Sequence, residues 1–149
     1  MKSSLLSNRR SMSKGTSLIE VMVSVLILSI GLLGIAAMQA TALRNTQSAM
    51  ERTQAVIQSY AILDVLRTDT TQARAALYTV DWTCAVPGST TSPSVDMATW
   101  IASTMDKVST DACGRISCTA GVCTIDVRWN DERGTGGSAA QTVTTVSQI

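Results

Sequence analysis

A run of residues without a charged side chain, Val21–Leu43, constrains this chain more than any other feature of its sequence. As an α-helix the run would extend roughly 34 Å, which is enough to cross the hydrocarbon layer of a membrane. Residues 1–19, before this run, include no acidic residue and four basic residues, Lys2, Arg9, Arg10 and Lys14. This basic flank predicts that the N-terminus stays in the cytoplasm and that the chain after the run is exported.

One carboxylate, that of Glu20, stands directly before the run. A charge in apolar surroundings costs several kcal/mol unless it is paired, so this position needs a reason. One explanation is that Glu20 reaches the membrane surface beside the basic flank, where a carboxylate is tolerated. The other is that it pairs with a cation inside the apolar layer.

Three kinds of N-terminal segment fit an apolar run of this kind. A cleaved secretory signal has an apolar core of roughly 7–15 residues, and this run is longer. A permanent single-span anchor explains the run and its basic flank, but neither Glu20 nor Gly15. The third kind is a prepilin-type N-terminus, which the residues around Gly15 favour.

The segment KGTSLIEVMVSVLILSIGLLGIAAMQ, residues 14–39, resembles the N-terminus of type IV prepilins and type II secretion pseudopilins. In that class, prepilin peptidase cuts after the Gly of a short basic leader and N-methylates the new first residue. A glutamate lies four residues beyond that residue. The resemblance implies cleavage between Gly15 and Thr16, methylation of Thr16, and a role for Glu20 in assembly. The class usually has Phe or Met where Thr16 stands, a departure that bears on methylation more than on cleavage.

Cleavage would create a cationic α-amine on Thr16 close to Glu20. Within one helix the two groups lie about 6 Å apart along the axis. The amine of a neighbouring subunit comes closer when packed helices are staggered along their axes. Glu20 would then set the register of assembly, because its buried carboxylate is neutralised only at the correct depth.

The helix signal continues beyond the apolar run, since Ile35–Val86 contains neither Gly nor Pro. The pattern predicts one helix from about Thr16 to about Arg67, apolar all round at first and amphipathic later. Gly31 and Gly34 would permit close packing or local extension of its first half. The second half is predicted to pack on the C-terminal region through Ala49, Val56, Ile57, Tyr60, Leu63 and Leu66.

The rest of the chain predicts a small head of helices and strands. Residues 71–77 suggest a short helix, residues 95–108 a longer one bearing Trp100, and residues 138–149 a final strand. Residues 115–131 read as a β-hairpin, either with Ala120-Gly121 as its turn or with a longer loop spanning Thr119–Val122. Asp64, Asp69 and Asp81 read as solvated acids.

The four cysteines, an even number in an exported chain, predict disulfides. Three connectivities are possible. A two-residue turn would place Cys118 directly opposite Cys123, which favours that pair and leaves Cys84 with Cys113. A zinc site is the alternative, but the chain has no His and its cysteines lack the tight spacing of zinc ligands. We expect no metal and no cofactor.

The head also resembles the PilV group of minor pilins. The resemblance rests on ILDVLRTDTTQARAALY, on the predicted helix with Trp100, and on GRISCTAGVCTIDVRWND, whose strand ends in Trp129 and Asp131. It implies the type IV pilin fold, an α+β fold with a long N-terminal α-helix packed on a small antiparallel β-sheet head. The expected parts are a leader at 1–15, a transmembrane and assembly segment at 16–43, and a periplasmic head at 44–149.

The expected function is therefore structural rather than enzymatic. With no His, no Ser/Lys pair and no glycine-rich phosphate motif, the sequence predicts no catalytic residue. A net charge of +1 and 15% charged residues disfavour nucleic-acid binding.

The resemblance implies a minor pilin in the tip or initiation complex of a type IV pilus, supporting pilus biogenesis, twitching motility or adhesion. Its partners would be prepilin peptidase, the major pilin, other minor pilins, the inner-membrane assembly machinery and, before assembly, lipid. The chain would reside first in the inner membrane and then in the pilus at the cell surface. The alternatives are a minor pseudopilin of type II secretion and an uncleaved membrane-anchored adhesin or binding module.

Overall fold

The structure is a computed structural model that describes residues 15, 17–88 and 93–149. Most of the predicted leader, residues 1–14, and Thr16 with its predicted methylation lie outside these residues. The chain forms two compact units, Met1–Gln39 and Ala40–Ile149. The predicted boundary after residue 43 between assembly segment and head stays a prediction. The elements in chain order are α1 Leu18–Thr68, α2 Thr70–Arg74, β1 Val80–Thr83, α3 Ser94–Lys107, β2 Cys113–Thr119, β3 Val122–Trp129 and β4 Gln141–Gln148.

The long helix predicted from the sequence is confirmed, with bounds Leu18–Thr68. It begins where the Ser17 carbonyl accepts the backbone N–H of Glu20 at 3.0 Å. Directly after it, Asp69 caps α2, because its carboxylate accepts the backbone N–H of Gln72. Asp69 was expected to be solvated. Instead, it supplies an acceptor that an N-terminal helical turn otherwise lacks.

The four strands form one antiparallel sheet in the order β1-β2-β3-β4. Together with the long N-terminal helix this is an α+β arrangement consistent with the type IV pilin fold. Within the unit Ala40–Ile149 the later part of α1, α3 and the inner face of the sheet share one core. Its members include Ile62, Leu63, Leu66, Tyr78, Trp100, Ile101, Ile116, Ile125, Val127 and Trp129.

The hairpin between β2 and β3 has the two-residue turn Ala120-Gly121, and the longer-loop alternative is wrong. Thr119 pairs with Val122, and Cys118 pairs with Cys123. Both turn residues have positive φ, 52° and 80°, as a type I′ turn requires. Ala120 is therefore in a conformation that costs roughly 1–2 kcal/mol for a residue other than glycine.

The predicted core-facing stripe of α1 is wrong in part. Leu63 and Leu66 are buried, but Val56, Ile57 and Tyr60 are exposed, as is Ala49. The face that packs on the rest of the unit contains Ser48, Glu51, Ala55, Gln58, Ser59, Ile62, Leu63 and Leu66. Polar residues can belong to this face because their buried groups find partners: Ser48 Oγ donates to Asp131 Oδ2 at 2.8 Å, and Glu51 accepts from Arg133 Nη2 at 2.7 Å.

Two further elements differ from the sequence prediction. The short helix α2 ends at Arg74, earlier than predicted, and Ala76 follows with a φ of 59°. Strand β1 was missed altogether, because its four residues are too few to show a clear alternation. It pairs with β2 through an irregular register and forms one edge of the sheet.

The disulfides join Cys84 to Cys113 and Cys118 to Cys123, the connectivity favoured from the sequence. The first links the segment after β1 to the start of β2, over a sequence separation of 29. The second links the two strands of the hairpin, over a separation of 5.

Replacing each disulfide by two alanines is expected to destabilise the protein unequally. From loop-closure entropy, losing Cys84–Cys113 costs about 4 kcal/mol and losing Cys118–Cys123 about 2 kcal/mol. Urea unfolding followed by tryptophan fluorescence measures both. An equal or reversed order would show that the disulfides act through native packing rather than through the unfolded chain.

Candidate functional site

The first residues that the structure describes carry the predicted processing and assembly positions. Gly15 is exposed and lies before the helix, in open space where an added Cβ would meet no atom within 4 Å. Glu20 lies in the first turn of α1, also exposed. A carboxylate in a first helical turn is favoured by the partial positive charge of that helix end.

From Ser17 to Gln47 every described residue is exposed within the chain. Two serines of this segment return their hydroxyls to their own helix: Ser24 donates to the Glu20 carbonyl and Ser29 to the Val25 carbonyl, each at 2.7 Å. Gly31 and Gly34 both lie in α1. Apart from the neighbouring backbone of the helix itself, no described atom lies within 4 Å of the position that a Cβ would take on either residue. The chain itself therefore leaves this apolar surface available to lipid or to other helices.

A protein-family model, that of the prokaryotic N-terminal methylation motif, matches residues 10–36 of the sequence. The match covers Gly15, Glu20 and residues 21–36 of the apolar run, and it supports a type IV pilin-like protein. Searches of curated proteins and of solved structures returned no match.

The methylation motif indicates a structural, pilin-like protein rather than an enzyme. It also implies processing by prepilin peptidase and assembly with other pilins. Among the described residues, one helix, α1, is long and apolar enough to cross a membrane. Length and composition alone do not distinguish such a helix from a signal sequence. Together with the motif, the helix suggests a membrane-anchored pilin.

In the unit Ala40–Ile149, a buried carboxylate joins α1 to the loop that follows β3. The side chain of Asp131 is 1% exposed, and its Oδ2 accepts from Ser48 Oγ at 2.8 Å and from Arg52 Nη2 at 2.9 Å. The Asp131 backbone N–H donates to the Ser138 carbonyl at 2.8 Å. One residue therefore fixes both the helix and the base of the loop.

Further contacts of the same kind continue along this loop. Glu51, also buried, accepts from Arg133 Nη2 at 2.7 Å. Closer to the N-terminus of α1, the Asn45 side chain accepts the backbone N–H of Thr135 at 3.0 Å. Together with Asp131, these contacts hold residues 131–138 against residues 45–52. We call this set of contacts the helix–loop junction.

Replacing Arg52 by Ala is expected to destabilise the protein by about 2 kcal/mol, since it leaves the buried Asp131 carboxylate with Ser48 as its remaining side-chain donor. The cost is below that of a fully buried pair, because Arg52 is 46% exposed. Chemical unfolding followed by tryptophan fluorescence measures it.

Lys107→Ala serves as the control for Arg52→Ala. Lys107 forms an exposed ion pair with Asp106 at 2.6 Å, and the hydrogen bond and charge of Asp106 raise the pKa of Lys107. Exposed pairs contribute little, so its loss should leave the free energy of unfolding almost unchanged. Equal effects of the two variants would contradict the role given to Asp131.

The outer face of the sheet has a second polar cluster. Arg115 donates twice to Asp126, at 2.8 and 3.0 Å, and Thr144 donates to the other Asp126 oxygen at 2.6 Å. Trp82 lies beside two guanidinium groups, with ring distances of 4.9 Å to Arg115 and 4.3 Å to Arg128. An open cavity of about 430 Å³ borders Arg115 and Asp126. Because the buried carboxylate is fully paired within the chain, the cluster stabilises β1, β2 and β3 together.

The sequence predicted roles for Gly15 and Glu20, which stay predictions, and it gave no structural role to Asp131, Asp126 or Trp82. Asp131 carried a signal, since it is an acid two residues after the buried end of a strand. Its partners, Ser48 and Arg52, lie about eighty residues earlier in the chain, and nothing local in the sequence pairs them with it.

Proposed function

We propose that this chain is a minor pilin of the PilV type, which prepilin peptidase cuts after Gly15 and which then joins the tip or initiation complex of a type IV pilus. The proposal rests on the methylation-motif match at residues 10–36, followed by a helix surface that the chain leaves exposed. The α+β head agrees with it. The PilV assignment rests on the resemblance of the head sequence alone.

The exposed helix has two successive roles in this proposal. Before assembly its apolar side chains contact lipid, with the N-terminus in the cytoplasm and the head in the periplasm. On assembly they contact the helices of other subunits, and Gly31 and Gly34 allow those helices to approach closely. Glu20 then pairs with the α-amine of a neighbouring subunit, while Thr16 carries the chain's own amine and its proposed methyl group.

Loss of the leader tests the processing step. In cells with prepilin peptidase the chain should become shorter by its first 15 residues, and without the peptidase its mass should not change. Mass spectrometry of the new N-terminus reports at the same time whether Thr16 is methylated. Replacing Gly15 by Val should block the cut, because a branched side chain would occupy the position that the peptidase reads as glycine.

A matched substitution elsewhere in the leader, Ser13→Val, should leave cleavage unchanged. An unaltered mass of the wild-type chain in both strains would contradict the proposal and favour an uncleaved membrane-anchored adhesin. A pseudopilin of type II secretion would be cleaved in the same way. It is distinguished by a deletion that abolishes protein secretion and leaves pili and twitching motility intact.

A further inference from the structure

Strand β4 is an unprotected edge of the sheet. It pairs with β3 in an uninterrupted register from Val122↔Gln148 to Trp129↔Gln141. Among the described residues, no strand pairs with its other side. Sheet edges are normally blunted by charge, proline, a bulge or short length, and β4 has none of these in QTVTTVSQ. The opposite edge, β1, is short, irregular in register and carries Asp81.

The register identifies the backbone groups that are available at this edge. In a two-residue hairpin the residues that flank the turn exchange backbone hydrogen bonds. The N–H and C=O groups of Val122 and of every second residue after it in β3 therefore point toward β2. The intervening residues face β4, as the bond from Ile149 N–H to the Gly121 carbonyl at 2.9 Å also shows. The N–H and C=O groups that point away from β3 therefore belong to Thr142, Thr144, Val146 and Gln148. An extended strand is the backbone that matches this repeat of donors and acceptors.

Near this edge, α1 has exposed apolar side chains. Arg67 Nη2 donates to Ser147 Oγ at 3.2 Å, which places this face of α1 next to β4. Val56 and Tyr60 precede Arg67 by eleven and seven positions on the same helical stripe, and they are 39% and 52% exposed. A strand added to β4 would turn every second side chain toward them.

We propose that the free edge of β4 accepts an extended, uncharged strand of another polypeptide, with β-branched or aromatic residues on the side that faces Val56 and Tyr60. Main-chain hydrogen bonds to Thr142, Thr144, Val146 and Gln148 provide the affinity, and the helical stripe provides the side-chain preference. The strand is uncharged because β4 carries no charged side chain, and the Arg67 guanidinium beside Ser147 already pairs with Asp64 at 2.9 Å, so an ion in the added strand would lose hydration without gaining a partner. The proposal goes beyond the pilin function, because strand pairing needs neither cleavage nor a filament.

A synthetic peptide with the sequence of β4, Gln-Thr-Val-Thr-Thr-Val-Ser-Gln, is the probe, added to the full chain in detergent micelles. Amide hydrogen exchange should slow at Thr142, Thr144, Val146 and Gln148 and stay unchanged in α3. Val146→Pro removes an N–H that β3 does not use, so it should weaken peptide binding about tenfold with little change in stability. Val146→Thr retains that N–H and should bind as the wild type does.

Four results would overturn the proposal, the last of them with a charged peptide. The first is unchanged exchange at the four amides in excess peptide. The second is equal binding by Val146→Pro and Val146→Thr; if the proline variant fails to fold, Val146→Lys takes its place and should also bind more weakly. The third is concentration-dependent protection of the same amides without peptide, which would make a second copy of this chain the occupant. A peptide with lysine at alternate positions should bind more weakly, and equal binding would contradict the uncharged partner.

Discussion

Replacing Gly137 by Ala is expected to destabilise the protein by about 3 kcal/mol or more, a large fraction of the stability of a small domain. A Cβ on residue 137 would overlap the carbonyl of Asp131, a backbone group that cannot turn away as a flexible side chain does. That carbonyl already accepts the Gly134 N–H at 3.1 Å, and Gly137 N–H donates to the Gly134 carbonyl at 3.0 Å. To admit the methyl group the loop must open, which displaces Asp131 from Ser48 and Arg52.

Gly136→Ala is the matched control, one residue away in the same loop. Gly136 has a φ of 74°, so alanine there costs about 1 kcal/mol in backbone strain, but its Cβ would meet no atom within 4 Å. Urea unfolding followed by intrinsic tryptophan fluorescence measures both variants. If Gly137→Ala cost no more than Gly136→Ala, the helix–loop junction would not depend on close approach of the backbone.

Local signals in the sequence predicted the fold where neighbouring residues determine it. The uncharged run and the absence of Gly and Pro after it predicted α1 to within two residues of its observed ends. The hairpin followed from alternation in β3 and from a glycine at the turn, and its register placed Cys118 opposite Cys123. Each of these features depends on contacts between residues close in sequence, which propensity and periodicity describe directly.

Features that depend on distant contacts escaped prediction. In α1, hydrophobicity favoured a face with Val56, Ile57 and Tyr60, yet the packed face contains Ser48, Glu51 and Gln58. Hydrophobicity alone places these polar residues outside, because it does not show that Asp131 pairs with Ser48 and that Arg133 pairs with Glu51. Val56, Ile57 and Tyr60 therefore stay exposed within the chain.

Replacing Glu20 by Ala is expected to remove the chain from sheared pilus filaments almost completely, by about tenfold or more relative to the wild type. In the proposed assembly, the cationic amine of a neighbouring subunit would then enter the apolar layer unpaired, and no depth of insertion would be preferred. The leader should still be lost, since in prepilins the cut depends chiefly on the glycine, here Gly15. Blotting of membrane and filament fractions separates the two steps.

The control is Ser24→Ala, one helical turn further along the same exposed surface. The Ser24 hydroxyl donates to the Glu20 carbonyl of its own helix, so its loss should leave both cleavage and incorporation unchanged. Glu20→Gln keeps the size of the side chain without its charge, and it should fail as Glu20→Ala does if pairing with the amine sets the register. Incorporation of the Gln variant at the wild-type level would show that Glu20 acts through its size or through its position at the membrane surface, and not through its charge. Loss of incorporation by Ser24→Ala as well would show that this helical turn tolerates no change, and the effect of Glu20→Ala would then carry no information about charge.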